Sequence, residues 1–285
     1  MVRNVEQAQK WYNAALYWFT VIPPIVGPIT FFINAPFGRF ASSGNSILLV
    51  DGIKSWICME LVAPVAFLYS FFKSPLSRTP ASSPLTSPEN LLAALYVIHY
   101  LNRALISPLR TPSRSKSNII VPAAAMLFNS VNGTLLGTYL SSPAARAFLA
   151  GAYGRPSFWV AVGVWAAGLA GNILHDEILL NIRRNAKAKG KGKAGGGEHY
   201  AVPHGWLYRY ISFPNYFCEW AEWAGYAVAA APFPTLTSGS LTPPWLFLLS
   251  ELTLMFPRAW KGHKWYQQRF PDYPKSRKAV LPFLL

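Results

Sequence analysis

The sequence predicts an all-α integral membrane protein, a bundle of seven transmembrane helices, on three observations. Of its 285 residues, 52% are hydrophobic and only 13% are charged, whereas an ordinary soluble domain carries about 25% charged residues. Seven apolar stretches each approach the roughly 20 residues that a spanning helix needs. The basic residues divide unequally between alternate connections, which is how membrane proteins mark their cytoplasmic side.

The stretches run near 11–33, 54–72, 89–109, 119–140, 156–182, 216–236 and 244–260. Clusters rich in Pro and Ser, such as "KSPLSRTPASSPLTSPEN", separate them with turn chemistry. No stretch reads as a strand-rich domain, and no internal repeat stands out. If the N-terminus faces away from the cytosol, that outer side holds Arg3, Lys10, Lys73, Arg78, Arg146 and Arg155. The other 20 of the 26 Lys and Arg then fall on the cytosolic side. An even number of spans would scramble this split, so the C-terminus is expected in the cytosol. "KAKGKGKAGGGE", Lys187 to Glu198, lacks the GK[ST] ending and preceding strand of a phosphate loop, and reads as a flexible basic surface loop.

Several classes are excluded. Net charge is +15, but the basic residues sit in short blocks between apolar runs, which argues against nucleic-acid binding. Cys58 and Cys218 lie in apolar stretches and predict no disulfide framework. "MVRNVEQAQKWY" lacks the layout of a cleavable signal peptide. The histidines lack the pairing of metal ligands, so no metal site is expected. There is no GxGxxG after a strand, hence no Rossmann domain.

Polar groups inside spanning helices are costly and usually face the bundle interior. In "GNILHDEILLNIRR", Asn172, Asp176 and Arg183 follow at i, i+4 and i+11, within about 40° of one another on a helix. Asn215, Glu219 and Glu222 repeat the pattern in the next stretch. "SWICMELVAP" sets Trp56 and Glu60 one turn apart, and "YVIHYLNR" sets Tyr96, Tyr100 and Arg103 on one stripe. Arginines gather at the cytosolic ends, and their planar forks suit phosphate. Interhelical pairing would account for one such pair; inward polar groups on four or five helices point to a cytosol-open cofactor pocket for a phosphate-bearing molecule.

Three segments, "GNILHDEILLNIR", "YAVPHGWLYRYISFPNYFCEWAEWAGYA" and "RAWKGHKWYQQRFPDYPKSRKAVLPF", resemble the C-terminal region of the steroid 5α-reductase (3-oxo-5α-steroid 4-dehydrogenase) family. "WICME", "HYLNR" and "FNSVNGTLLGTYL" agree with it in the N-terminal half. The resemblance implies a multi-pass enzyme of the endoplasmic reticulum membrane that uses NADPH to reduce the Δ4 double bond of a 3-oxo-Δ4-steroid or related enone lipid. Hydride would reach C5 and a proton C4. It implies that Glu60 and Tyr100 contact the substrate carbonyl as the catalytic pair, Glu60 donating only in its protonated form, and that Trp56 and Phe128 bind the substrate body. It implies cofactor contacts from Arg103, Arg114, Asn172, Asp176, Arg183, Asn215, Glu219, Arg258, His263 and Tyr266. Residues 1–150, helices 1–4, would form the substrate side, and residues 151–285, helices 5–7, the NADPH-binding reductase region. His99 and His175 are expected to pack or to bond between helices, and Tyr273 and Arg277 to dock the tail. Lys261 and Gly262 stand where the family often has histidines. The rival readings are a polyprenal or enoyl-thioester reductase of the same superfamily, and a non-catalytic sterol-binding or receptor protein.

Overall fold

The computed structural model describes residues 4–41, 46–78, 84–189, 200–235 and 241–284. The Lys187–Glu198 loop from Gly190 onward, and the Pro/Ser-rich segment around Ser82, lie outside the described residues. Each of the seven apolar stretches is helical. The helices are α1 (Val5–Ile29), α2 (Gly52–Lys73), α3 (Pro88–Tyr100), α4 (Ser107–Arg110), α5 (Ile120–Leu140), α6 (Pro143–Leu149), α7 (Pro156–Ala188), α8 (Pro214–Ala230) and α9 (Pro243–Arg269). Their starts carry ordinary capping chemistry. Asn4 accepts from the Gln7 amide at 3.0 Å, and Asp51 from the amides of Ile53 and Lys54 at 2.9 and 2.8 Å. Proline opens α3, α6, α7, α8 and α9.

Three helices, α2, α5 and α7, are long and apolar enough to cross a membrane by length and composition. The α-helical part of the third stretch is 13 residues and α8 is 17. α9 carries Glu251, Arg258, Lys261, Lys264 and Arg269. Large apolar side chains face outward along the bundle, among them Val65, Phe72, Leu127 and Val160, as a lipid-facing surface would require.

Two helix pairs make the frame. α2 packs along α5, and α7 along α8, while α9 holds α1 and α8. Small residues set the spacing, since membrane helices associate by close backbone approach. A Cβ on Gly133 of α5 would lie 2.4 Å from the Ala63 carbonyl of α2, and one on Gly168 of α7 would lie 2.5 Å from the Glu222 amide of α8. Gly168→Ala must therefore push α8 away at the turn that holds Glu222. It should cost about 1–3 kcal/mol, the usual scale of overpacking, and lower the melting temperature in detergent. An unchanged melting curve would show that the two helices separate there without loss.

Three local features have no counterpart in the sequence reading. Between α3 and α4, residues Leu101–Ile106 form a π-helical turn, a wider winding that often marks functional sites. The short helix α6 turns the chain between α5 and α7. Leu49–Val50 (β1) pairs antiparallel with Ser117–Asn118 (β2). This ribbon ties the α1–α2 connection to the start of α5, helped by the Ile119 amide donating to Leu48 at 2.8 Å and the Asn118 amide to Pro36 at 3.2 Å.

The core is aromatic. Tyr96, fully buried, stacks on Phe67 with centroids 4.1 Å apart and lies 4.8 Å from Tyr100. Trp223 meets His99 at 4.6 Å and Phe247 at 4.6 Å. The tail docks by a bridge between Ile211 and Lys278, with the Phe213 amide donating to Ala279 at 3.0 Å.

Candidate active site

A cavity of about 750 Å³ lies between α1, α2, α3, α5, α8 and α9. Phe19, Phe128, Phe247 and Met255 give it an apolar wall, and Glu60, Tyr100 and Arg103 line one side. Trp18, Ile22, Val26 and Leu127 line it too and are exposed on the outside of their helices. A second cavity of about 160 Å³ opens between the α1–α2 connection, α7, α8 and α9. Its walls hold Arg39, Arg103, Arg114, Arg183 and Arg258, with Asp176, Ser212, Asn215 and Tyr266. The two cavities share Phe37, Trp56, Arg103, Tyr216 and Arg258, so an apolar chamber and a cationic vestibule meet at that seam.

Arg103, within the π turn, is the centre of the seam. Its Nε lies 3.4 Å from Glu60 Oε1 and its Nη1 3.6 Å from Glu219 Oε2. Its guanidinium carbon stands 4.9 Å from the Trp56 ring centroid, and that of Arg114 stands 3.6 Å from the same centroid. Trp56 Nε1 donates to the Arg103 carbonyl at 3.2 Å. Trp56 is thus fixed as a platform under two cations, an arrangement favoured by the ring quadrupole.

The polar residues of α7 and α8 form a ladder behind the seam. Asn172 Nδ2 donates to the Asn215 carbonyl at 3.0 Å and to Glu219 Oε2 at 3.2 Å; Asn215 Nδ2 donates to Asp176 Oδ1 at 3.0 Å. Asp176, Arg183 and Asn215 reach the vestibule, whereas Asn172 stays behind it and orients Glu219. His263 also stands back. Its Nδ1 is 2.6 Å from Ser212 Oγ, which in turn is 2.6 Å from Tyr273 Oη, so it supports a vestibule wall and the docked tail. His99 Nδ1 pairs with Glu222 Oε1 at 2.8 Å, both fully enclosed, and His175 accepts the Leu207 amide at 3.2 Å. Tyr208 closes the vestibule floor, donating to the His175 carbonyl at 3.3 Å; burial holds its phenol well above the usual range, so it remains a donor.

Two charged wall residues, Arg39 and Glu251, were not singled out from sequence. Arg39 follows Gly38, whose φ of +61° favours glycine, and its guanidinium sits 4.8 to 5.5 Å from the rings of Tyr266, Phe213, Trp265 and Tyr200. Its Nη1 is buried with no hydrogen-bond partner. Gly262 makes room for this cage: a Cβ there would lie 2.3 Å from the Phe213 ring and 3.3 Å from Arg39 Nη1. Lys261 donates to the Thr30 carbonyl at 3.2 Å, joining α9 to the end of α1. Glu251 lines the chamber from α9. A lone Glu amid an apolar span is itself a sequence signal.

Fold and site together define a helical membrane-type protein in which an apolar, lipid-sized chamber is joined to an arginine-lined vestibule. A profile described as 3-oxo-5-alpha-steroid 4-dehydrogenase matches residues 115–285. The 3-oxo-5-alpha-steroid 4-dehydrogenase 1 of Rattus norvegicus is 31% identical over 254 residues, covering 89% of this chain and 87% of its own length. Steroid 5-alpha-reductase DET2 of Solanum lycopersicum is 32% identical over 258 residues, covering 89% of each chain. A protein of Schizosaccharomyces pombe described as uncharacterised is 38% identical over 276 residues, covering 91% of this chain and 94% of its own. The chain belongs to the 3-oxo-5-alpha-steroid 4-dehydrogenase family, a family of oxidoreductases.

Proposed function

We propose that the protein reduces the Δ4 carbon–carbon double bond of a 3-oxo-Δ4-steroid or related enone lipid with NADPH. The observation that carries this is the seam, where Glu60 and Tyr100 in an apolar chamber adjoin a vestibule of five guanidinium groups. The vestibule's lining suits the phosphate groups of a dinucleotide: the buried Nη1 of Arg39 lacks a partner, and arginine forks match phosphate oxygens. NADPH supplies the hydride that the β-carbon, C5, receives.

The chain's residues do the rest. Arg39, Arg183 and Arg258 hold phosphate, with Arg114 beside Trp56. Asp176, Asn215 and Glu219, the last oriented by Asn172, accept from and donate to ribose and amide groups. Tyr266 and His263 brace that wall. Trp56 and Phe128 shape the substrate's berth. As hydride adds, negative charge grows on the 3-oxo oxygen, and a donor already aimed there lowers the barrier. Tyr100 offers its hydroxyl from a packed position, and Glu60 holds Arg103 beside it. A proton from solvent then reaches C4, so that hydride and proton together add two hydrogens across the double bond. In this reading residues 1–150 supply the chamber's catalytic pair and residues 151–285 most of the cofactor contacts, and seven helical segments span the membrane.

The test is to incubate membranes bearing the protein with NADPH and a panel of 3-oxo-Δ4-steroids. Products two hydrogens heavier are expected. If no steroid is reduced and a polyprenal or enoyl thioester is, the substrate class is wrong. If nothing is reduced and no NADP(H) copurifies, the protein is a binding protein.

Cofactor choice gives a second expected result. A charged hydrogen bond contributes about 1.5–3 kcal/mol, so Arg183→Ala or Arg258→Ala should weaken NADPH binding about 10- to 100-fold in titrations. The loss should shrink as salt rises. The arginine that reads the 2′-phosphate should lose more for NADPH than for NADH; equal losses at every vestibule arginine would place that recognition elsewhere.

Orientation is a third. In sealed endoplasmic-reticulum microsomes, protease should cut a tag inserted at Gly195 and spare one at Ser82, with the C-terminus cut as well. A protected Gly195 tag would overturn cytosolic entry of the cofactor.

A further inference from the structure

Three carboxylates interrupt the chamber wall: Glu60, Glu219 and Glu251. The first two are spoken for. Glu60 faces Arg103, and Glu219 takes Asn172 and Arg103. Glu251, half-buried on the chamber wall, makes no hydrogen bond or ion pair with any described residue.

Its place on α9 is informative. Phe247, Glu251, Met255 and Arg258 follow at i, i+4, i+8 and i+11 and share one face of the helix, and all four line the chamber. Glu251 therefore stands between the apolar end at Phe247 and the vestibule mouth at Arg258. Glu60, Tyr100 and Arg103, the reacting end of the reading above, line the same chamber.

An acid without a partner in an apolar, membrane-embedded wall is costly and is a functional candidate by default. A wholly apolar substrate lying over it would seal it away from water with nothing to bond. A hydroxyl on the substrate would supply the missing donor. Resting on the enone-reductase reading above, we propose that Glu251 is a specificity-determining residue: it accepts a hydrogen bond from a hydroxyl carried near the substrate's enone, and so selects hydroxylated enone lipids over their deoxy parents. A site built to bond a substrate hydroxyl rejects the analogue lacking it far more strongly than an apolar pocket rejects a missing methylene.

The test uses the full chain in detergent and matched 3-oxo-Δ4-steroids that differ by one hydroxyl, at C2, C6 or C19. Two readouts are taken: binding without NADPH, by quenching of tryptophan fluorescence, and kcat/KM with NADPH. The wild type should bind at least one hydroxylated member about 10- to 100-fold more tightly than its parent, the scale of leaving one buried polar group unpaired. Glu251→Leu should abolish that ratio by weakening the hydroxylated member while the parent binds as well or better. Glu251→Gln, whose amide oxygen still accepts, should keep part of it, and it carries the test by a several-fold fall in the ratio should the leucine variant not fold.

A hydroxyl-to-parent ratio of one in the wild type, or an equal ratio in wild type and variants, overturns the assignment. So does a leucine variant that binds the parent normally yet no longer reduces it, because Glu251 would then act on the reaction itself. The two levels separate cleanly. A binding preference lost in Glu251→Leu without any turnover supports Glu251 and sinks the reductase reading; turnover with no preference does the reverse.

Discussion

Tyr100→Phe should cut turnover by about two to three orders of magnitude, the usual loss when one donor to a developing oxyanion is removed. The ring is already held. Tyr100 is 3% exposed and packs against Tyr96 at 4.8 Å, His99 at 5.0 Å and Trp223 at 6.4 Å. Phenylalanine keeps all of that packing and loses only the hydroxyl, so folding and NADPH binding should stay close to wild type while kcat falls. Glu60→Gln should be milder. Its carboxylate faces Arg103, so it holds the guanidinium in place more than it donates, and an amide oxygen can still accept. Steady-state kinetics on both variants, beside cofactor titrations, check this. Near-normal turnover in both would remove Tyr100 and Glu60 from the reaction.

The helices were legible because apolar length and Pro/Ser punctuation are local signals, and every apolar stretch folds as one helix or one helical run. The β1–β2 ribbon was not. Two residues of Leu-Val facing Ser-Asn carry no period, and the pairing is a product of tertiary docking. Nor was the π turn at Leu101–Ile106: "LNRALI" is as good an α-helix as a π-helix by composition, yet Arg103, which stands between Glu60 and Glu219, lies within this turn.

At the site, spacing on one helix face grouped Asn172, Asp176 and Arg183, and Asn215, Glu219 and Glu222; of these Asp176, Arg183 and Asn215 line the vestibule, Glu219 lines the chamber, and Glu222 turns away to His99. It could not say that Asn172 and His263 stand one layer behind the walls, because depth depends on what packs opposite. Arg39 was invisible for another reason. It sits in an irregular connection, and its cage of Tyr200, Phe213, Trp265 and Tyr266 is drawn from three distant segments. Gly262 gains its meaning only beside that cage, where a Cβ would lie 2.3 Å from the Phe213 ring.

Arg103→Met should have the widest effect of any single change, because one side chain serves both cavities. It balances Glu60 at 3.4 Å and Glu219 at 3.6 Å, and it covers Trp56. Methionine fills much of the same volume but leaves two enclosed acids with no cation between them. Removing one partner of a buried charge pair costs about 3–5 kcal/mol, so the variant should melt well below wild type in detergent and lose turnover and cofactor binding together. Arg103→Lys should recover much of the stability, since the charge remains, but little of the activity, since a point charge cannot bridge two acids as a planar fork does. Combining Arg103→Met with Glu60→Gln should restore part of the melting temperature by removing one stranded charge, and no turnover. Wild-type melting in Arg103→Met, or an additive double variant, would mean that Glu60 and Arg103 do not act as a pair.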